Sequence, residues 1–201
     1  RLTETAAPQQ TTQQPTQGAY VGSGTKLNIV SAPESSDTTF SDEEDALCLQ
    51  DIYSSVIDSV VSISSMTSSG TSSGTGIIMS ENGYIITNHH VIEGAYQLAV
   101  LTYDDTQYTA ELIGSDAISD LAVLKIEAEG LQTAAIAQSG DVAVGEEVVA
   151  IGNPLGELTF TMTHGYISAT DREINVDGTP INMMQTDAAI NSGNSGGPLF
   201  D

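Results

Sequence analysis

An all-β protein, a sandwich or a barrel, is the fold class that the sequence predicts, and three observations predict it. Short runs rich in Val, Ile, Thr and Tyr recur from Val56 onward. Turn residues separate them: Glu81-Asn82-Gly83, Tyr103-Asp104-Asp105, Ser139-Gly140-Asp141 and Asn175-Val176-Asp177-Gly178. No helical segments of about 10 to 15 residues alternate with these runs, which argues against a parallel α/β sheet.

Taken in order, the elements begin late. Residues 1–41 are rich in Thr, Gln, Ser, Gly and Pro, and Ala7–Gln17 has almost nothing to bury. Such a segment does not recover its ordering entropy, so a disordered linker is expected. Ser41-Asp42-Glu43-Glu44 reads as a helix start, with a serine cap and acids in the first turn. Leu49, Ile52, Tyr53 and Val56 follow at helical spacing, so a short amphipathic helix is expected over about 42–54. The strand candidates are 56–64, 75–79, 83–87, 97–103, 107–113, 121–127, 147–151, 159–169 and 181–186. Asp177-Gly178 between two β-rich runs predicts a hairpin. A break in the pattern near 130–140 divides the β region into 42–135 and 136–201.

Charge narrows the function. Four Lys and Arg against 27 Asp and Glu give a net charge of −23. A surface of that sign repels phosphate backbones and anionic lipid, so no nucleic-acid partner is expected. Cys48 is the only cysteine, which excludes an intrachain disulfide. No apolar run approaches transmembrane length.

The chemistry-bearing residues are few. In Gly193-Asn194-Ser195-Gly196-Gly197-Pro198-Leu199, glycines on both sides of a serine let the backbone bend sharply and expose the hydroxyl. The N–H groups of Gly193 and Ser195 are then free to converge as an oxyanion hole. A serine nucleophile needs a base, and three histidines exist: His89, His90 and His164. The first two follow the apolar run Gly83–Thr87, where a strand end faces a cleft; His164 lies mid-strand and reads as structural. The base needs an orienting carboxylate. Asp120 stands at the mouth of the apolar run Leu121–Ile126, where an acid is costly unless paired. His, then Asp, then Ser is the chain order of the chymotrypsin group.

Several segments together carry a family resemblance. Thr75–Ile78 (TGII), Gly83–Ile92 (GYIITNHHVI), Ser119–Lys125 (SDLAVLK), Val149–Pro154 (VAIGNP) and Gln185–Leu199 (QTDAAINSGNSGGPL) resemble the HtrA (DegP/DegS-like) trypsin-like serine proteases. The resemblance implies a double Greek-key β-barrel, with His90 and Asp120 in the first barrel and Ser195 in the second. It implies that His90, directly before Val91, is the general base. Asp120 would be the orienting acid and Ser195 the nucleophile, with Gly193, Asn194 and Ser195 forming the oxyanion loop. Ala189 and Ile190 correspond to the substrate pocket, which lacks an acid and should accept small or medium apolar P1 side chains. Asn194 stands where many chymotrypsin-like enzymes have the Asp that binds a new N-terminus, so activation by that ion pair is not expected. The resemblance further implies polypeptide substrates, no cofactor, a homotrimer and an extracytoplasmic location. The closing strands of the second barrel, a membrane anchor and a PDZ domain are expected outside residues 1–201.

Other readings fare worse. Gly193-x-Ser195-x-Gly197 also fits the nucleophile elbow of α/β-hydrolases, but there the acid and histidine follow the serine in the chain. A metal site on His89 or His90 with Glu93 lacks a third ligand. A non-catalytic binding or chaperone-like protein on the same fold is the strongest rival.

Overall fold

The computed structural model describes residues 48–138, 140–153, 160–176 and 179–201. The expected linker over 1–41 and the Ser41–Glu44 helix start lie outside the described residues. The helix itself, α1, runs Leu49–Val56, with Asp51 in its first turn and the Ile57 N–H bonded to the Tyr53 carbonyl. It ends later than the expected residue 54. A 3-10 turn over Ile57–Ser59 follows, with Ser59 Oγ donating to the Val56 carbonyl at 2.6 Å. These residues take up the start of the expected first strand. Tyr53 and Val56 pack with Ile57, Val60 and Ile151, which anchors the helix between the two β units.

Six strands then close into a barrel: β1 Val60–Thr67, β2 Gly70–Ile78, β3 Tyr84–Thr87, β4 Gln97–Leu101, β5 Gln107–Asp116 and β6 Leu121–Ile126. The order around it is β1-β2-β3-β6-β5-β4, every pair antiparallel. Because β3 joins β6 rather than β4, His90 just after β3 and Asp120 just before β6 arrive at one end of neighbouring strands. Alternation sets the core. Ala122, Leu124 and Ile126 of β6 point inward with Leu98 and Val100 of β4, Ile63 of β1 and Ile85 of β3, all buried.

The second unit is a four-stranded sheet of β7 Glu147–Gly152, β8 Thr161–Val176, β9 Thr179–Thr186 and β10 Leu199–Phe200, in the order β10-β7-β8-β9. β8 runs past the expected residue 169 because Asp171, Arg172 and Glu173 continue it on exposed positions, where charge hides a strand from hydrophobic patterning. Asp177-Gly178 lies outside the described residues, although β8 and β9 pair antiparallel with Val176 opposite Thr179. β10 has two residues, too short for periodicity to show. The fold is therefore the all-β trypsin-like one, a closed barrel followed by an incomplete second one.

Candidate active site

Asp120 is built to hold His90. Its φ is +52°, a left-handed conformation that Asp tolerates better than most side chains. That turn aims both of its acceptors at the short helix α2, His89–Ile92. The Asp120 carboxylate takes the His90 imidazole at Nδ1 (2.7 Å, Oδ2) and the His90 backbone N–H (2.9 Å, Oδ1). Its carbonyl accepts the His89 N–H at 3.1 Å and the Asn88 side-chain amide at 2.8 Å. Burial pushes the Asp120 carboxyl up, but the two bonds from His90 and the His90 and His89 charges outweigh it, and the net shift is downward. The carboxylate is thus held ionised where it fixes the imidazole with Nε2 free.

The serine loop approaches the same corner. Gly193 and Gly196 have φ of +105° and +80°, so the turn around Ser195 needs glycine on both sides. The Gly197 N–H bonds the Asn194 carbonyl at 2.8 Å, and the Asn194 N–H bonds the Asn191 carbonyl at 3.1 Å. Among the described residues the N–H groups of Gly193 and Ser195 have no acceptor. The loop is pinned to the first barrel: the Thr75 N–H donates to the Ser195 carbonyl at 2.9 Å, and Thr75 Oγ1 donates to the Gly193 carbonyl at 2.6 Å. A Cβ on Gly196 would stand 2.2 Å from Thr87 Oγ1 and 3.0 Å from the Asn88 N, two residues before His90. The Ser195 loop therefore lies against the end of β3 that leads into His90, and among the described residues Ser195 Oγ makes no hydrogen bond to His90. Such bonds are often long in unliganded sites and tighten on substrate.

The remaining candidates separate. Ala189 and Ile190 are exposed, Ile190 beside Arg172, Met183 and Gln185 of the β8–β9 pair. The Ala189 carbonyl accepts Thr163 Oγ1 at 2.9 Å and the Asn194 amide at 3.4 Å, which ties this segment to the oxyanion loop. His164 lies in β8 and pairs with Glu147 at 2.5 Å. His89 Nδ1 is buried without a partner among the described residues. Among the described residues no group of three His, Cys, Asp or Glu side chains is arranged to hold a metal ion. Sequence reasoning missed Thr75, Thr87 and Asn88. The one available signal for Thr75 was its place between Gly74 and Gly76, glycines that let neighbouring chains approach closely.

Known proteins point the same way. The trypsin-like peptidase domain family matches residues 74–201. The serine protease Do-like HtrA of Bacillus subtilis (strain 168) is 50% identical over 151 residues, 70% of this chain and 34% of that protein. A probable periplasmic serine endoprotease, DegP-like, of Rickettsia prowazekii (strain Madrid E) is 49% identical over 131 residues, 64% of this chain and 26% of its own length. Among solved structures, the HtrA-type protease AlgW with tripeptide superposes with a TM-score of 0.70 at 42% identity, covering 74% of this chain and 49% of that one. The chain thus spans about a third or less of these curated relatives. With its fold, its matched domain and these identities, the chain belongs to the trypsin-like peptidases, among the HtrA serine proteases.

Proposed function

We propose that this chain carries the acyl-transfer site of a serine endopeptidase, with Ser195 as nucleophile, His90 as general base and Asp120 as orienting acid. One observation carries the reading: the two-point grip of Asp120 on His90, 2.7 Å at Nδ1 and 2.9 Å at the backbone N–H. That grip leaves Nε2 as the only imidazole nitrogen free to take the Ser195 proton. Ser195 Oγ then attacks the scissile carbonyl. The oxyanion rests on the N–H groups of Gly193 and Ser195, with Asn194 between them shaping the turn. His90 passes its proton to the leaving amine, and water resolves the acyl-enzyme.

Residues 42–135 supply the base and acid, and 136–201 the nucleophile. Ala189 and Ile190 border the primary pocket, where the lack of an acid favours small or medium apolar P1 side chains. Unfolded polypeptides are the substrate class and an extracytoplasmic compartment the setting, in keeping with relatives named as periplasmic endoproteases. A homotrimer, a membrane anchor and a PDZ domain belong to the same reading of the whole protein.

A serine-directed fluorophosphonate tests the site. The protein extended to the length of its relatives should label, and Ser195→Ala should abolish labelling and β-casein cleavage together. Labelling that persists in Ser195→Ala, or is absent from the extended protein, leaves the binding or chaperone-like alternative standing. In a peptide library, cleavage chiefly after Lys or Arg would reject the apolar pocket.

A further inference from the structure

Thr75 holds the nucleophile loop through both its backbone N–H and its hydroxyl. Thr75 lies in β2 of the first barrel and is fully buried. Its Oγ1 donates to the Gly193 carbonyl at 2.6 Å and accepts the Asn153 N–H at 3.0 Å. Its N–H donates to the Ser195 carbonyl at 2.9 Å, and its own carbonyl accepts Thr87 Oγ1 at 2.7 Å. Every polar group of this residue is thus committed, and on three sides. One side is the serine loop. Another is the end of β3, three residues before His90. The third is the end of β7, where Asn153 is itself fully buried.

We infer that Thr75 is a positioning residue that sets the oxyanion hole and keeps the Ser195 loop in register with His90. The inference rests on the acyl-transfer reading above and deepens it. The physical reason lies in peptide planes. Gly193 at φ +105° has no side chain to resist rotation about its backbone. With its carbonyl fixed by Thr75, the plane joining Gly193 to Asn194 cannot turn. The N–H groups of Gly193 and Ser195 belong to the peptide planes on either side of it, so its orientation constrains theirs. Without the hydroxyl the carbonyl has no partner in a buried place, and a rotated peptide becomes competitive. The strand is shaped for the role. A Cβ on Gly74 would meet the Val91 side chain at 2.6 Å and the Ser195 carbonyl at 3.2 Å, so only glycine lets β2 come this close.

The test is a kinetic series in the full-length protein on a peptide substrate, with thermal unfolding followed in parallel. Thr75→Val, which keeps the shape and removes the hydroxyl, should lower kcat roughly 10- to 100-fold, the scale of a misplacement near 1 Å. KM should stay within about threefold, because the hole acts on the transition state more than on bound substrate. Thr75→Ser should restore kcat to within a few-fold of the starting protein. Equal kcat in Thr75→Val, or a loss in Thr75→Ser as deep as in Thr75→Val, overturns the inference. Should Thr75→Val not fold, Thr75→Cys puts a weaker donor in the same place and should give an intermediate kcat; full kcat there overturns it equally. Failure of the underlying reading would look different: the unsubstituted protein itself would neither cleave nor label.

Discussion

Asp120 concentrates the residue-scale chemistry of this protein. Its left-handed backbone is shared comfortably by Asn, so Asp120→Asn should fold. An amide can still accept the His90 N–H, but its NH2 group facing Nδ1 selects the wrong imidazole tautomer. We expect kcat to fall by roughly 10³- to 10⁴-fold, read by steady-state kinetics, with a near-native unfolding temperature. Acid stability follows from the same carboxylate. Its folded pKa lies below the ordinary 3.8, so its ionised form stabilises the native state above that pH. This stabilisation fades as pH falls below 3.8 toward the folded value. Asp104 and Asp116, also shifted downward, the first by the Thr102 and Thr106 bonds and the second chiefly by Ser119, add in the same direction. Thermal unfolding between pH 5 and 2 should therefore show Asp120→Asn losing less stability on acidification than the unsubstituted protein. An identical pH dependence would remove Asp120 from the account. The candidacy of Asp120 was legible in the sequence as an acid before an apolar strand; its positive φ and its double grip were not.

At the scale of elements, the Ser195 loop and β6 fail in different ways when altered. A methyl on Gly196 would stand 2.2 Å from Thr87 Oγ1 and 2.4 Å from the Thr75 carbonyl, at a φ of +80° that alanine resists. Gly196→Ala should displace the loop and reduce fluorophosphonate labelling by at least an order of magnitude, while the first barrel keeps its far-ultraviolet signature. Leu124, fully buried in β6, serves the core instead. Leu124→Ala should cost about 2–5 kcal/mol in denaturant unfolding, with kcat largely retained in the folded fraction. The helix shows how element boundaries escape a sequence reading. Its apolar spacing was visible in Leu49, Ile52, Tyr53 and Val56, yet the helix continues to Val56 because its face packs on Ile57, Val60 and Ile151. Of these partners, Ile151 lies far along the chain. β8 makes the complementary case, since charged residues on an exposed stretch leave strand pairing intact while erasing its pattern.

The whole molecule carries a charge of −23, and self-repulsion opposes compaction. Added monovalent salt near neutral pH should raise the unfolding temperature by screening that repulsion. A temperature that falls steadily with salt would show that local ion pairs outweigh the net field. Those pairs are sparse among the described residues: Lys125 with Glu127, His164 with Glu147, and His90 with Asp120. By itself the sequence determined the β class and the acidic charge, because periodicity and charge count are local or additive properties; it put forward His90, Asp120 and Ser195 as candidates, with His90 preferred to His89 by family resemblance. Only the tertiary structure decided that β3 lies against β6, and that Thr75 of one barrel holds the serine loop of the other. The Thr75 contacts join residues more than a hundred positions apart, 118 between Thr75 and Gly193. Strand order within the barrel, and contact of the serine loop with β2, rather than any local preference, bring these elements together.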